Sequence, residues 1–318
     1  MRIFITGGSG CIGHYIADSL IKNTNHELFF LVRNPSKLKF DYNYREGVNI
    51  IQGDLAQILD YTDLLKTINI AILAATCWGG EIESYQINVE SNLNLIKTLN
   101  PAICEQIIYF STASILDQKN QLLPQAGEIG TDYIRTKYQC FTQLSTLELY
   151  DKIITVYPTL VFGGNDNNPY SHLSSGLKDL PKLMNLIRWF QADGSFHFIH
   201  GYDIATVITY LVENGNNLDK KFEQKLVLAN QPLTVNEAIK QICNYLHKKI
   251  YFQIPLAIWL ANIFIKLFNI QMAEWDYFCF NYRHFTYGKF VNPNTFNLES
   301  YAPNLSKLLE VSKVSQNK

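Results

Sequence analysis

Short apolar runs alternate with amphipathic stretches through the first half of this 318-residue chain. The runs are of strand length and apolar throughout, whereas the stretches between them place apolar residues at helical spacing. Strands of this kind are buried on both faces, as in a parallel sheet that helices cover from both sides. The pattern therefore predicts a doubly wound α/β fold, with strands at residues 3–6, 28–32, 48–51, 70–75 and 106–110.

The pattern changes after residue 162. Residues 163–169 have a loop composition, and beyond Ala229 the alternation gives way to mixed segments rich in Asn, Phe and Tyr. Two further runs, residues 153–156 and 225–228, resemble later strands of the same sheet. We therefore expect a nucleotide-binding domain at 1–162, completed by a strand near 225–229, and a smaller C-terminal substrate or lid domain at 163–318. A polar, frayed tail is expected from Ser312.

Three glycines spaced three apart follow the first predicted strand, and an amphipathic stretch follows them. In such a turn Gly7 permits a sharp reversal, Gly10 lets the backbone approach a pyrophosphate, and Gly13 lets a helix pack close to the sheet. The free N–H groups at the start of that helix favour phosphate. This context is that of a Rossmann-type dinucleotide site. The contacts predicted here are Gly7, Ser9, Gly10, Cys11, Ile12 and Gly13.

The charge balance and the cysteine content indicate which ligands, metals and cell compartment the protein is expected to have. The chain carries 27 basic and 28 acidic residues without runs, so nothing favours nucleic acid or anionic lipid, and a small-molecule substrate is expected. The six cysteines lack metal-ligand spacing, which predicts no metal and suits a reducing compartment. Because the first strand starts at the N-terminus, we expect no signal peptide and a cytoplasmic protein. A homodimer is one option for the oligomeric state.

An uncharged apolar segment at residues 250–265 bears on membrane association. It is shorter than the roughly 18 to 20 residues that a bilayer span needs, and Pro255 and Asn262 interrupt it. A buried helix is the favoured interpretation, and a partner-facing or membrane-surface helix is the alternative. No transmembrane span is predicted.

Two tyrosines stand four residues before a lysine, a spacing that places phenol and ammonium on one helix face. A nearby cation favours phenolate and lowers the phenol pKa from its usual value near 10, which suits a general acid/base. Only Tyr133 and Lys137 follow the fifth predicted strand, where the helix would return over the ligand-binding edge of the sheet. We therefore predict that this pair is catalytic and that Tyr245 and Lys249 lie on a solvated helix face.

Hydroxyl side chains follow the same strand, at Ser111, Thr112 and Ser114. A hydroxyl at the carboxyl end of a parallel strand can hold a substrate oxygen beside the acid/base. Thr112 is the predicted catalytic hydroxyl, with Ser111 or Ser114 as the competing candidates.

Several ordered motifs are similar to those of short-chain dehydrogenases/reductases, in particular their extended branch, the NAD-dependent epimerase/dehydratase family. The resemblance covers residues 1 to about 210. It rests on the glycine turn, Gly53-Asp54-Leu55, Ala74-Ala75, Asn88-Val89, Ser111-Thr112, the segment from Tyr133 to Lys137, and two later segments at 158–163 and 198–205.

The resemblance implies roles for individual residues. Asp54 and Leu55 would lie at the adenine and Ala74, Ala75 and Thr76 along the cofactor, while Lys137 would hold the nicotinamide ribose. Tyr133 would be the acid/base and Thr112 would orient the substrate oxygen. Tyr157 and Pro158 complete the predicted cofactor contacts. A helix cap is the alternative for Asp54, and a structural role is favoured for His200 and Asp203.

Some positions depart from the family pattern. Ala113 and Ser114 stand where sugar dehydratases carry an Asp-Glu pair, and the loop lacks the cysteine of certain epimerases, which disfavours both reactions. Leu116-Asp117 replaces the frequent Tyr-Gly, and Tyr157 replaces a frequent Arg. A nucleotide-sugar diphosphate would need cations. The nearest candidates are Lys178, Lys182 and Arg188, for which a solvated helix face is the favoured interpretation.

The leading hypothesis is an NAD(P)-dependent oxidoreductase that acts on a hydroxyl or keto group of a small organic molecule. The alternatives are a sugar 4-epimerase and a non-catalytic assembly or sensor protein that keeps the cofactor as a ligand. Residues 29–40 contain no acidic side chain, whereas Arg33 and Lys37 could flank a 2′-phosphate. NADP is therefore predicted to be preferred over NAD, with Arg33 as the main contact.

Overall fold

Seven parallel strands form the central sheet in the computed structural model, which describes residues 1–215, 224–256 and 271–316. Numbered β1 to β7 along the chain, they follow the spatial order β7-β6-β5-β4-β1-β2-β3. This is the Rossmann order 3-2-1-4-5-6 with one strand added at the edge. Their bounds are β1 (Arg2–Thr6), β2 (Glu27–Val32), β3 (Val48–Gln52), β4 (Ile70–Leu73), β5 (Gln106–Phe110), β6 (Ile153–Pro158) and β7 (Lys225–Leu228).

Helices join the strands and build the C-terminal part. Their bounds are α1 (Cys11–Asn23), α2 (Thr62–Leu65), α3 (Glu81–Tyr85), α4 (Asn92–Thr98), α5 (Pro124–Glu128), α6 (Asp132–Leu144), α7 (His172–Ser175), α8 (Leu180–Ile187), α9 (Gly201–Asn214), α10 (Val235–Tyr245), α11 (Glu274–Tyr282) and α12 (Leu305–Val311). A π-helical turn, Gln86–Ser91, joins α3 to α4.

Both faces of the sheet are buried, as the uninterrupted apolar runs require. In β1, Phe4 points into one apolar cluster, and Ile3 and Ile5 point into the cluster on the opposite face. The Phe4 side is covered by α4 and α6, and the other side by α1 and α9. The doubly wound α/β fold predicted from the sequence is confirmed.

The nucleotide-binding half of the protein includes elements from beyond residue 162. The strand predicted at 225–228 is β7, which pairs in parallel with β6. In addition, α9 packs along α1 and buries Ile204 and Ile208 against the sheet. One predicted strand is shorter than expected: β4 ends at Leu73 because the chain then turns across the glycine loop, where the Ala75 N–H donates to the Thr6 hydroxyl.

The C-terminal part consists of short strand pairs and helices. Leu160–Phe162 pairs with Phe198–His200, Phe190–Gln191 with Ile254–Pro255, and Ser195–Phe196 lies between Leu233–Thr234 and His284–Phe285. This part reaches the loop after β5, because the Tyr287 hydroxyl donates to the Ala113 carbonyl at 2.8 Å. The expected fraying from Ser312 is wrong for Val314, which is buried and whose carbonyl accepts a hydrogen bond from Tyr245.

The apolar segment predicted at 250–265 is only partly visible, since residues 257–265 lie outside the described residues. Its described beginning includes exposed Tyr251 and Phe252 and the short strand Ile254–Pro255. Among the helices that the structure describes, none is long and apolar enough to cross a membrane.

Candidate active site

Of the three glycines in the loop, the fold requires two for steric reasons and does not require the third. Gly7 has φ +79°, and a Cβ there would lie 2.6 Å from the Ala74 carbonyl carbon. At Gly13 a Cβ would lie 2.0 Å from the Gly7 oxygen, so close helix packing requires glycine. A Cβ at Gly10 would meet only the Gly7 oxygen, at an ordinary 3.5 Å. The protein therefore leaves open space at Gly10.

The start of α1 fits an anion. Gly10 is its N-cap and supplies no side-chain hydrogen bond, so the first N–H groups of the helix are not capped by a side chain. Uncapped N–H groups and the positive end of the helix dipole attract phosphate. The open space at Gly10 lies at this same end. The loop thus has the form that a pyrophosphate needs.

A cleft of about 240 Å³ opens at this loop, between the carboxyl ends of β1 and β4. The strand order reverses at this pair, which is where ligands bind in open α/β sheets. Its walls come from the ends of β1, β2, β3 and β4 and from the loop after β4. The lining residues are Thr6, Gly7, Ser9, Gly10, Leu31, Val32, Arg33, Gly53, Asp54, Leu55, Ala74, Ala75, Thr76, Cys77, Trp78, Glu83 and Ile87.

One end of the cleft carries the residues predicted to hold adenosine. Arg33 and Asp54 both line it, as does Leu55. The Asp54 carboxylate also accepts the Ala56 N–H at 3.0 Å, so the cap considered as an alternative is present together with the cleft position. Lys37 is exposed and does not line the cleft.

Three predicted contacts of the glycine motif lie outside the cleft lining. Ile12 packs against the α1-side apolar cluster, and Gly13 serves the close packing described above. Burial raises the pKa of the Cys11 thiol to about 12, against the smaller effect of a hydrogen bond with the Ser171 backbone. These residues therefore shape the turn with their backbones.

The predicted catalytic residues come together next to the other end of the cleft, where Trp78 of the lining contacts Tyr133, although none of the three is itself a lining residue. Tyr133, in the first turn of α6, lies beside the hydroxyl of Thr112, which follows β5 and acts to lower the pKa of the phenol. Thr112 also caps a short 3-10 turn and donates to the Ser114 hydroxyl at 3.4 Å. The competing Ser111 hydroxyl is buried and has no partner among the described residues. Of the three hydroxyls, Thr112 is the one that acts on the pKa of Tyr133.

Lys137 lies one helical turn after Tyr133 and is almost fully buried. Its ammonium donates to the Phe110 carbonyl at 2.8 Å and stands over the Tyr109 ring. Burial lowers the pKa of Lys137 to about 8. Burial also raises the pKa of Tyr133 to about 12, while the hydrogen bond with Thr112 acts in the opposite direction. The lowered phenol pKa expected from the sequence is therefore wrong for this structure, because burial outweighs the effect of Thr112 and Lys137 is not among the groups that shift this pKa.

Asn88 is a structural link whose role was not predicted from the sequence, although it was part of the family resemblance. Its amide is fully buried in the π-helical turn. Its oxygen accepts from the Cys77 N–H at 2.8 Å and from the Thr76 hydroxyl at 3.0 Å. Its nitrogen donates to the Cys77 carbonyl and, at 2.9 Å, to the Thr136 hydroxyl of α6. One amide thus joins the loop after β4 to the helix that carries Tyr133.

Trp78 is a second site residue that the sequence did not indicate. Its ring lies on the Tyr133 ring with centroids 4.2 Å apart and an interplanar angle of 20°. The two residues are 55 positions apart in the sequence, and no short motif marks the contact. Trp78 is nevertheless part of the cleft lining.

Other predicted residues have core or surface positions. The Tyr157 side chain is buried against Phe141, and neither Tyr157 nor Pro158 lines the cleft. A side-chain contact of Tyr157 with the cofactor is therefore not what the structure shows, because its ring belongs to the core. His200 caps α9, and the Asp203 carboxylate accepts the N–H groups of Tyr301 and Ala302, which supports the structural interpretation of both.

The basic candidates for a diphosphate are distributed elsewhere. Lys178 lines a second cavity beside the end of α12, and the Arg188 guanidinium stacks on Trp189. Of the other tyrosine-lysine pair, Tyr245 donates to the Val314 carbonyl and Lys249 lies beyond the end of α10, so the two do not share a helix face. No cluster of three potential metal ligands occurs among the described residues.

The sequence of residues 3–223 matches the model of the NAD dependent epimerase/dehydratase family. The chain belongs to this family. The extended short-chain dehydrogenase/reductase resemblance predicted from the motifs is therefore confirmed. As a family member, the protein is an NAD(P)-dependent oxidoreductase or epimerase that acts on a small molecule.

Individual relatives differ in their reactions. The chain is 24% identical over 296 residues to a decarboxylating sterol-4-alpha-carboxylate 3-dehydrogenase of Dictyostelium discoideum, which covers 85% of this chain and 86% of the relative. Among solved structures, it is similar to UDP-N-acetylglucosamine 4-epimerase from Methanobrevibacter ruminantium, with TM-score 0.66, 17% identity, and coverage of 98% and 97%. The structure of UDP-glucose 4-epimerase from Thermus thermophilus with NAD is similar with a TM-score of 0.55 and 15% identity. The match covers 80% of this chain and 86% of the epimerase. The structural likenesses establish the fold.

Proposed function

We propose that this family member is an NAD(P)-dependent dehydrogenase or reductase that interconverts a hydroxyl and a keto group of a small organic molecule. The observation that carries the proposal is the grouping of Tyr133, Thr112 and Lys137 beside a cleft whose lining fits a dinucleotide, with Trp78 of that lining stacked on Tyr133. The Dictyostelium discoideum relative, which matches over 296 residues, is named as a dehydrogenase, which supports the same reaction class.

The chemistry at this end of the cleft follows from the protonation states. When bound, the nicotinamide cofactor supplies or accepts the hydride. Because burial raises the pKa of Tyr133, the neutral phenol is the resting form and can donate its proton to a carbonyl oxygen during reduction. Oxidation reverses this proton transfer. In this proposal Thr112 orients the same oxygen through its hydroxyl, and the Lys137 ammonium, which donates to the Phe110 carbonyl in the structure, holds ribose hydroxyls of the cofactor.

We infer that NADP is preferred over NAD. Arg33 lines the adenosine end of the cleft, and a guanidinium binds a phosphate through two hydrogen bonds. No acidic residue occurs from 29 to 40 to repel the 2′-phosphate. Lys37, outside the cleft lining, has a secondary role at most.

A sugar 4-epimerase is the second candidate function. Oxidation and re-reduction at one carbon need the same tyrosine and hydroxyl, and the similar solved structures include 4-epimerases of nucleotide sugars. Dehydration is disfavoured because Ala113 and Ser114 supply neither the additional acid nor the additional base. The two candidates differ in stoichiometry, since an epimerase consumes no cofactor overall.

One assay separates the candidates. Purified protein is incubated with NADPH or NADP and a panel of ketones, alcohols and nucleotide sugars, while cofactor absorbance and sugar products are followed together. Net cofactor conversion with a ketone or alcohol is the expected result. Sugar inversion without net cofactor conversion would assign the epimerase, and inactivity towards the whole panel despite cofactor binding would favour a binding protein.

The cytoplasm and a homodimer remain predictions for location and assembly. All six cysteines are unpaired, which is compatible with a reducing compartment. Subcellular fractionation and light scattering of the purified protein test the two predictions.

A further inference from the structure

Trp78 exposes a large apolar surface at the reactive end of the cleft. Its side chain is 67% exposed, although one face of the indole rests on Tyr133. An indole of this size is usually buried, and an exposed aromatic surface beside a cleft is typical of a ligand-binding wall. The opposite face of the ring is therefore available to a ligand whose oxygen reaches Tyr133.

Hydrogen bonds fix the backbone of the residue before Trp78, and the two residues after Trp78 are glycines. Both polar backbone groups of Cys77 are held by the buried Asn88 amide, at 2.8 Å each. Gly79 and Gly80 follow, and a Cβ at Gly79 would meet no atom within 4 Å. The glycines that follow Trp78 in the sequence therefore cannot cover its indole. The backbone before Trp78 is tied to α6 through Asn88.

The charges around Trp78 are mostly negative. Glu83 lines the same cleft, and Glu81 lies in the adjacent turn. Arg135 is the nearby cation on α6, but Asp132 holds it at 2.6 Å and Glu81 stands 4.0 Å away. Among the described lining residues Arg33 is the only cation, and it lies at the adenosine end. A phosphorylated substrate beside Trp78 would meet these carboxylates, while the buried Lys137 ammonium on α6 is already held by the Phe110 carbonyl.

Aromatic residues from the C-terminal part extend this apolar surrounding. Trp275, Phe278 and Tyr282 of α11 form a stacked series and belong to the same apolar cluster that Tyr133 packs against. Tyr287 joins this cluster and donates to the Ala113 carbonyl, next to Thr112. Aromatic residues thus reach both members of the pair: Trp78 lies on Tyr133, and Tyr287 bonds the residue after Thr112.

We propose that Trp78 is a specificity-determining residue that stacks on the substrate and selects a flat, uncharged polycyclic alcohol or ketone over a nucleotide sugar. This inference rests on the proposed oxidoreductase function and adds the substrate class. The substrate lies against the free face of the indole, and its oxygen reaches the hydroxyls of Tyr133 and Thr112.

The test measures binding and turnover separately. A 3-oxosteroid and a flavanone serve as flat probes, and UDP-glucose serves as the charged comparison. A ketone with the oxidised cofactor cannot react, so calorimetry of that ternary complex gives affinity without turnover. The variants are Trp78→Ala, Trp78→Phe and, as the matched control, Ile82→Ala, which removes an apolar side chain that is 85% exposed on the adjacent α3.

The expected result is binding of at least one flat probe that is weakened about tenfold or more by Trp78→Ala, in the range of one lost aromatic stack. Trp78→Phe should recover most of the affinity, and Ile82→Ala should match the wild type. For a probe that is turned over, Trp78→Ala should raise KM more than it lowers kcat.

The alternative outcomes are distinct. Equal affinity of wild type and Trp78→Ala for every flat probe, no binding of any flat probe, or tighter binding of UDP-glucose would each overturn the assignment of Trp78. If affinity depends on Trp78 but the wild type turns over neither these probes nor any ketone or alcohol of the wider panel, the binding role stands and the proposed oxidoreductase function fails. If the wild type turns over a probe and Trp78→Ala changes neither affinity nor kinetics, the proposed oxidoreductase function stands and the assignment of Trp78 fails.

Discussion

The ammonium of Lys137 donates a hydrogen bond of 2.8 Å to the carbonyl oxygen of Phe110, the last residue of β5. This bond fixes α6 above the carboxyl end of the strand that leads to Thr112. It also holds the lysine inside the protein before any ligand is present, where burial lowers its pKa to about 8. The same group is therefore an anchor of the site and a titratable group near neutral pH.

Cofactor binding should take up protons near pH 8. An anionic, hydroxyl-rich ligand beside Lys137 favours the charged ammonium and raises its pKa from about 8, so a fraction of a proton, less than about one, is bound with the ligand. At pH 6.5 the lysine is already charged and the uptake should vanish. Calorimetry in two buffers of different ionisation enthalpy measures this uptake. Identical enthalpies at pH 8, or an uptake that persists in Lys137→Met, would contradict the assignment.

Tyr133→Phe should lower turnover by roughly 100-fold or more, the scale of a lost general acid/base, while fold and cofactor affinity are kept. Tyr138→Phe removes a hydroxyl from the same helix and should behave as the wild type. Steady-state kinetics on an accepted substrate and thermal unfolding decide the matter. Near wild-type turnover of Tyr133→Phe would remove the residue from the mechanism.

Alanine substitutions in the glycine loop should separate stability from binding. Gly10→Ala places its Cβ in open space, so the melting temperature should hardly change, whereas cofactor affinity should fall at least about tenfold because the pyrophosphate loses its close approach to the backbone. Gly13→Ala would put a Cβ 2.0 Å from the Gly7 oxygen and should destabilise the fold itself. Thermal unfolding and cofactor titration of both variants check the difference. Unchanged cofactor affinity of Gly10→Ala is the result that would count against a pyrophosphate there.

Asn88→Ala should destabilise the protein by about 2 to 4 kcal/mol, because it leaves both polar backbone groups of the partly buried Cys77 without their partner. Asn88→Asp keeps the acceptor and loses the donor, so it should show a large part of the same effect. Denaturant unfolding measures both. A loss below about 0.5 kcal/mol for Asn88→Ala would mean that the amide does not hold the loop.

Arg33→Ala should reduce the preference for NADP over NAD by roughly tenfold or more, the value of a charge-assisted contact with the 2′-phosphate. Lys37→Ala is the matched control, since this cation lies outside the cleft and should shift the preference little. Titrations with both cofactors give the ratio. Equal affinity of the wild type for NAD and NADP, or an unchanged ratio in Arg33→Ala, would refute the preference.

Strands could be predicted from the sequence because burial on both faces leaves a local signature, and the range 225–228 coincides with β7. The roles of Gly7 and Gly13 could also be predicted from the sequence, because the steric requirements of the turn involve only a few neighbouring residues. Trp78 and Asn88 were not, because their contacts with α6 join residues about 50 positions apart. The direction of the Tyr133 pKa was missed for a related reason: helical spacing indicates the neighbouring cation and gives no measure of burial.

The late return of α9 and β7 to the sheet has a consequence for biosynthesis. A ribosome delivers the first six strands well before residues 201–214, whose side chains cover Ile3 and Ile5. Until that helix emerges, α1 alone covers this face of the growing sheet, and the apolar area that α9 later buries is open to other nascent chains or to chaperones. Folding of the nucleotide-binding half therefore has to wait until more than two hundred residues have left the exit tunnel, and a fragment that ends at residue 162 would be prone to aggregation.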